Sequence, residues 1–328
     1  MSKKPPRSSP PGTPPPGKLP SKKDDRGTSP EIDPLIHTHK KKSEPVRKKF
    51  TRACKSKPTK ISKPTKKSKI EKIERTDERL AVSILTLLRP VHLNQCLEST
   101  LSTKTPMKII VTNQADYSKA NMAIINTWKD RSNIHYRVND PRKWPGASRA
   151  EVFKMAKESG FEYIITLDDD CSLLPEAIDK LVKAADDHPE FYAISGYLIT
   201  PHRGTYMLGG PITVLNNRHS YINFDFKPGV QEADFICNGF RLIRLEPLVL
   251  PDSSYTIGLT DFDWAMEAKS KGLRLAVCGE AGAYHKFTFI NGKPIRGSVS
   301  GQYHAIRRNR SEIRKMREKF KRKWGYKV

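Results

Sequence analysis

Between Leu80 and His188 the chain alternates short apolar runs with stretches of helical periodicity, and this alternation restricts the fold more than any other feature. LAVSILTLL, from Leu80, reads as a buried strand, and VHLNQCLESTLS (91–102) has helical spacing after Pro90. MKIIVTNQ (107–114) is a second buried strand, SKANMAIINTWKD (118–130) is helix-like, and NIHYRV (133–138) is a third strand. After WPGAS, ASRAEVFKMAKESG (147–160) reads as a helix with a glycine stop. FEYIITL (161–167) is a fourth strand that runs directly into Asp168-Asp169-Asp170, and PEAIDKLVKAADDH (175–188) is a helix with proline at its start. Buried strands alternating with helices of this length predict an α/β protein with a mostly parallel, Rossmann-like sheet and helices on both faces.

Beyond about residue 190 the pattern loosens. AISGYLIT, PITVL and ADFICNGFRLIRL are strand-like, TDFDWAMEAKSKG (260–272) is a helix ending at Gly272, and LRLAVCGEAGAYHK (273–286) holds a strand that ends near His285. We therefore expect a domain over 79–300, with a nucleotide half at about 79–190 and an acceptor half at 191–300. Residues 1–78 hold 13 of the 25 prolines and few large apolar side chains, which predicts a disordered basic tail.

Charge divides along the same lines. The formal net charge is +25, yet residues 1–79 carry 24 Lys/Arg against 9 Asp/Glu and residues 301–328 carry 11 against 2, which leaves the middle at +1. A core that reads nucleic acid carries its basic residues on the folded reading face, so the core is suited to a small ligand and the ends to a polyanion or to solvation. The five cysteines (54, 96, 171, 237, 278) are odd in number and contain no C-x-x-C pair, which argues against a disulfide framework or a structural zinc site. With no apolar run long enough to span a bilayer and no apolar N-terminal leader, the expected location is cytoplasmic.

The chemistry concentrates where the fourth strand ends, because ligands of open α/β sheets bind beyond the carboxyl ends of the strands. Asp168 and Asp170 are two apart, so in extended chain they face the same way and can share one hard cation, Mn²⁺ or Mg²⁺, completed by water and substrate phosphates. The plainer reading is a solvated acidic loop that caps the next helix. Asp261 and Asp263 open a later helix, where a carboxylate serves either as general base toward a hydroxyl or as an N-cap. His285 is either a third metal ligand or a packed histidine.

Taken together, VSILTLLRPVHLNQCLESTL, NDPRKWPGASRA, LDDDCSL, ICNGFRLIRLE and TDFDWAMEAKSKGLRLAVCGEAGAYHK, in that order, resemble the family-2 glycosyltransferases of the GT-A nucleotide-diphospho-sugar fold. The resemblance runs from about Leu80 to about Gly301. It implies an inverting, metal-dependent transfer of a sugar from a nucleotide-diphosphate donor, UDP-sugar favoured, to an acceptor hydroxyl. By it Thr86, Arg89, Asn113, Arg149 and Asp169 line the donor, and Asp168, Asp170 and His285 hold the metal. Asn238, Gly239 and Trp264 lie beside the acceptor, Asp261 is the general base and Asp263 the alternative base. The chain departs from the family pattern with Thr112-Asn113 in place of an acidic residue, Thr260 in place of Glu, and Glu267 where a basic residue is frequent.

In the basic ends, Tyr303, Ile306, Ile313, Met316, Phe320 and Trp324 make one apolar stripe on a C-terminal helix over 301–328. It packs on the core, adheres to an anionic membrane surface, or leaves its basic face for phosphodiester. The acceptor classes implied are a glycan, a lipid-linked sugar, a protein, or a hydroxylated base in DNA held near the pocket by the tail. Two other readings are a catalytically inactive relative that binds nucleic acid through its ends, and a nucleotidyltransferase, which releases pyrophosphate rather than a nucleoside diphosphate.

Overall fold

A computed structural model of the chain describes residues 73, 78–200, 204–215, 218–221, 223–256, 258–285, 289–290, 293–294 and 309–325. The expected tail otherwise lies outside the described residues, as do Tyr303 and Ile306 of the expected C-terminal stripe. Two residues of the tail are described, Ile73 and Glu78: Ile73 is buried, and its N–H donates to Ser159 Oγ at 3.0 Å.

The elements follow the expected order. β1 (Leu80–Thr86), α1 (Pro90–Leu101), β2 (Lys108–Asn113), α2 (Lys119–Trp128), β3 (Ile134–Val138), α3 (Pro145–Glu158) and β4 (Tyr163–Asp168) alternate without a break. β5 (Cys171–Leu173) and α4 (Ala177–Asp187) come next, then β6 (Phe191–Thr200), β7 (Gly204–Met207), β8 (Gly209–Gly210), β9 (Ile212–Leu215) and β10 (Arg218–Tyr221). β11 (Val230–Ala233), β12 (Phe235–Ile236), β13 (Phe240–Arg244), α5 (Thr260–Ser270) and β14 (Arg274–His285) complete the domain. A short hairpin follows, β15 (Phe289–Ile290) with β16 (Lys293–Pro294), and then α6 (Arg310–Trp324).

The main sheet has ten strands, in the order β11-β14-β6-β13-β4-β1-β2-β3, with β5 beside β14 and β7 beside β6. β1 to β4 are mutually parallel, and β6 and β14 run the same way. β13 is antiparallel to both β4 and β6 and stands between the two parallel sets. The sheet therefore crosses the boundary expected near residue 190 without interruption.

Alternation along the strands builds the two faces. Leu80, Val82 and Ile84 of β1 join Leu93, Cys96 and Leu97 of α1 and Ile178 and Leu181 of α4 in one core layer. Ala81, Ile110, Ile164 and Ile243 join Phe153 of α3, Phe262 and Trp264 of α5 and Phe320 of α6 in the other. α3 approaches the 252–255 loop so closely that a Cβ at Gly146 would stand 2.5 Å from the Asp252 carbonyl oxygen, and only glycine fits there.

The C-terminal helix takes the packed reading. Phe320 stacks on Phe262 with ring centroids 5.1 Å apart, Lys319 Nζ lies 2.9 Å from Asp252, and Thr256 N–H points at Met316 Sδ at 3.2 Å. Asn309 caps the helix through the N–H groups of Ser311 and Glu312, and Gly325 at φ 75° closes it. No helix among the described residues is long and apolar enough to cross a membrane.

Candidate active site

The carboxyl ends of β1, β2 and β4 line up: Thr86 pairs with Asn113, and Leu85 with Asp168. Two turns at this edge carry non-glycine residues in the left-handed region, Leu88 at φ 58° and Ala115 at φ 53°, and a third, Leu259 at φ 56°, immediately precedes α5. Such backbone is costly unless its surroundings hold it, and it gathers at functional sites. What holds Leu88 is Asp116: one carboxylate oxygen accepts from Leu88 N at 3.1 Å and the other from Ser118 N at 3.1 Å.

The acidic triplet divides its work. Asp168, which ends β4, receives Arg149 Nη2 at 2.8 Å, and its N–H donates to the Gly239 carbonyl at 3.0 Å. Asp169 is fully buried beside Thr86 and ion-paired to Arg89, and burial pushes its carboxyl up to about 7. Asp170 also pairs with Arg89, and its Oδ1 lies 3.5 Å from His285 Nε2. Burial opposes ionisation of Asp170, but Arg89, His285 and His92 outweigh it and hold the carboxyl below the usual range.

His285 arrives from β14, which pairs antiparallel with β5 so that His285 stands opposite Cys171. Ligand atoms of Asp170, Cys171 and His285 all lie within 4.8 Å of one another. A carboxylate oxygen and an imidazole nitrogen are a fitting pair for Mn²⁺ or Mg²⁺, whereas the Cys171 thiol is buried in the α1–α4 core layer and burial raises its pKa well above the usual value. Asp168, expected as a third metal ligand, is outside this group and is turned to Arg149.

The other wall comes from β13 and α5. Thr166 Oγ1 donates to the Asn238 carbonyl at 2.8 Å, which fixes Asn238 and Gly239 against the end of β4. Asp261, in the first turn of α5, keeps partial exposure. Cys237, half-buried at the start of this wall, has its thiol pKa raised well above the usual value by desolvation, and the negative charge of Asp261 adds to the rise.

Four expected residues are placed differently. Asp263 is 1% exposed; Trp324 Nε1 donates to its Oδ1 at 2.8 Å and Lys323 Nζ to its Oδ2 at 3.0 Å, so it anchors α6 and does not face the cleft. Trp264 is fully buried, donates to the Val249 carbonyl at 3.1 Å and stacks on Tyr192, which makes it core and not an acceptor contact. Asn113 spends its amide on the Asp116 backbone and the Tyr136 hydroxyl, and so organises the β2–α2 turn rather than facing the donor. Asp169 lies beneath Arg89 and supports that side chain rather than the donor.

Some residues were missed. Gln114, Asn139 and Ser148 form a buried network, with Gln114 Nε2 at 2.9 Å and Asn139 Nδ2 at 2.7 Å from Ser148 Oγ, that ties the β2 edge to α3 and so to Arg149. Arg241, fully buried in β13, was also missed. The available signal was an arginine flanked by apolar residues near the start of the strand FRLIR.

The sequence profile described as Glycosyl transferase family 2 matches residues 82–249, just over half of the chain. The chain belongs to glycosyltransferase family 2. Among solved structures, GalNAc-T7 with UDP, GalNAc and Mn²⁺ superposes with a TM-score of 0.53 at 14% identity, over 69% of this chain and 47% of that one. S. aureus TarS 1–349 gives 0.47 at 13% identity, over 63% and 60%. The Pyrobaculum calidifontis mannosyltransferase PcManGT in complex with GDP-Man and Mn²⁺ gives 0.47 at 12%, over 67% and 58%. The chain thus spans less than two thirds of the length of the structures it resembles. A comparison with curated proteins gives no match. Strand pairing brings His285 beside the β4 triplet at one edge of the sheet.

Proposed function

We propose that this chain transfers a sugar from a nucleoside diphosphate donor, UDP-sugar favoured, to an acceptor hydroxyl, with inversion and with dependence on Mn²⁺ or Mg²⁺. The observation that carries this reading is the approach of His285, at the far end of β14, to within 3.5 Å of Asp170 at the end of β4. A buried carboxylate and an imidazole brought together from positions so distant in sequence suit a cation site at a ligand-binding edge.

Asp170 and His285 would hold the cation, which when bound offsets charge on a departing diphosphate. Arg149, steered by Asp168, adds a fixed positive charge on the donor side. Asp261 takes the proton from the acceptor hydroxyl as that oxygen attacks the anomeric carbon, and the single displacement gives inversion. Thr86 and Arg89 border the donor, Arg89 through its clamp on Asp169 and Asp170, while Asn238 and Gly239 form the acceptor side. Incubation with Mn²⁺ and a panel of nucleotide sugars tests the reading: nucleoside diphosphate is the expected product, and Asp261→Asn binds donor without turnover. Pyrophosphate release from a sugar phosphate and a nucleoside triphosphate would instead make the chain a nucleotidyltransferase. No turnover with any donor favours the inactive relative.

A polyanionic acceptor, nucleic acid in particular, is favoured by one observation. Arg310, Arg314, Arg317 and Lys321, spaced 4, 3 and 4, form an exposed stripe along α6 with no carboxylate within 4 Å among the described residues. The apolar face of α6 is already committed to the core, which leaves nothing to insert into lipid. Anisotropy of labelled DNA against salt tests this: replacing the four cations with Gln should flatten the salt dependence, and an unchanged slope rejects it.

A further inference from the structure

The turn that follows β1 and the turn that follows β2 lie side by side, since Thr86 pairs with Asn113 and Gln114 N donates to the Thr86 carbonyl at 3.1 Å. One buried carboxylate joins them. Asp116 is 3% exposed, and each of its oxygens accepts a backbone N–H: Oδ1 that of Ser118 and Oδ2 that of Leu88, both at 3.1 Å. Its own N–H donates to Asn113 Oδ1 at 3.0 Å, and its carbonyl accepts from the amides of Asn113 at 3.0 Å and Asn121 at 2.9 Å, so backbone and side chain are both fixed.

The two bonds of the carboxylate differ in reach. The one to Ser118 spans two residues and is the usual aspartate turn ahead of a helix, here α2, whose N-cap is Ser118. The one to Leu88 crosses 28 residues of sequence, and α2 has no need of it. Leu88 is a non-glycine residue at φ 58°, a conformation that persists only where the surroundings fix it. Arg89 follows as the N-cap of α1, at φ −135° and ψ 56°, and Pro90 starts the helix. From that place Arg89 ion-pairs with both Asp169 and Asp170, and Asp170 Oδ1 lies 3.5 Å from His285 Nε2. A shift at Leu88 therefore passes through a single peptide to the guanidinium that braces Asp170.

We infer that Asp116 is a positioning residue for the cation: by holding Leu88 in its left-handed turn it sets Arg89 against Asp170 and keeps that carboxylate presented to the ion. The inference rests on the reading of Asp170 and His285 as the cation site. Groups that orient a metal ligand from behind change metal affinity without touching the ion. Glycine occupies the left-handed region with no Cβ penalty. If Asp116 acts through Leu88, glycine at position 88 makes the carboxylate largely dispensable.

The test is Mn²⁺ binding by calorimetry on the full chain, together with thermal melting. Asp116→Asn keeps the local turn, which asparagine also forms, but sets an amide NH₂ against the Leu88 N–H, and Mn²⁺ affinity should fall by about tenfold. Ser118→Ala removes the cap of the same helix and should lower the melting temperature with Mn²⁺ affinity unchanged. Leu88→Gly combined with Asp116→Asn should bind within about threefold of Leu88→Gly alone. Unchanged affinity in Asp116→Asn, an equal loss in Ser118→Ala, or the same loss persisting on the glycine background would leave Asp116 a stabiliser of the fold and overturn the inference. Should Asp116→Asn fail to fold, Leu88→Gly must restore both folding and Mn²⁺ binding, and failure to do so overturns it as well. If the unaltered chain takes up no Mn²⁺, or His285→Ala binds it equally well, the cation reading fails and Asp116 falls with it. If His285→Ala loses the ion and Asp116→Asn keeps it, only the role of Asp116 fails.

Discussion

The indole of Trp324 donates to Asp263 at 2.8 Å, and this bond joins the last turn of the C-terminal helix to the first turn of the helix that bears Asp261. Of two carboxylates two residues apart, Asp263 is thus committed to α6 while Asp261 keeps partial exposure. Asp263→Asn should keep donor turnover while losing about 1–3 kcal/mol of stability in denaturant unfolding, through the weakened contacts with Lys323 and Trp324. Asp261→Asn should do the reverse. Equal effects from the two variants would refute the division.

Phe320 is fully buried against Phe262, so Phe320→Ala should cost about 3–5 kcal/mol, read as a lower denaturant midpoint at unchanged slope. A loss of only a few tenths would mean that α6 is an appendage and not part of the core.

Mn²⁺ binding, followed by calorimetry on the full chain, should weaken by more than about tenfold in Asp170→Asn and in His285→Ala. Cys171→Ser should leave the affinity close to its starting value, because that thiol packs in the core layer. A collapse of binding in the serine variant, with His285→Ala unaffected, would reassign the ligands.

Arg149→Ala should lower kcat by about 10²–10³-fold with a smaller change in donor affinity, as expected for a charge whose chief effect comes in the transition state. A change confined to KM would reduce Arg149 to a ground-state contact.

The pairing of Lys319 with Asp252 makes the helix anchor sensitive to acid. Burial raises the Asp252 carboxyl, but hydrogen bonds from Ser254 and Lys319 outweigh it and bring it to about 2. A depressed carboxylate contributes stability that is present above its unfolded value, about 3.9, and is lost as pH falls toward 2. Lys319→Met should thus lower stability by about 0.5–1 kcal/mol at pH 6, a small figure because the pair is partly solvated. The gap should close by about pH 2; a gap that persists there would show that the lysine acts through packing on Tyr255.

Much of the fold was legible because buried parallel strands and their crossover helices leave continuous apolar runs and helical periods, as in IITL before Asp168 and VFKMAKESG before β4. The strand ends were legible to within two residues for the same reason, expected at 88, 114 and 167 and found at Thr86, Asn113 and Asp168. The division of labour within the site was not legible. Nothing in TDFDW distinguishes an aspartate open to the cleft from one plugged by Trp324, since the difference is made by a helix about 60 residues downstream. Trp264 misled because an aromatic near a catalytic carboxylate fits a sugar platform as well as a core. Cys171 was invisible as a neighbour of His285 because strand pairing, and not spacing, brings the two together. Arg241 left only the mark of a charge between the apolar Phe240 and Leu242.

β13 runs against its neighbours on both sides. In the parallel strands the residues at the working edge are those where each strand ends, and the helix that follows binds their position to the next turn of the chain. In β13 the working edge is where the strand begins, so Asn238 and Gly239 are reached from the run of short strands β7 to β12, with no crossover helix to constrain it. One wall of the cleft is therefore built from repeating units whose geometry is shared, and the other hangs from the run of short strands β7 to β12. Changes of length or composition in that run can reshape the β13 wall without disturbing the edge formed by β1, β2 and β4.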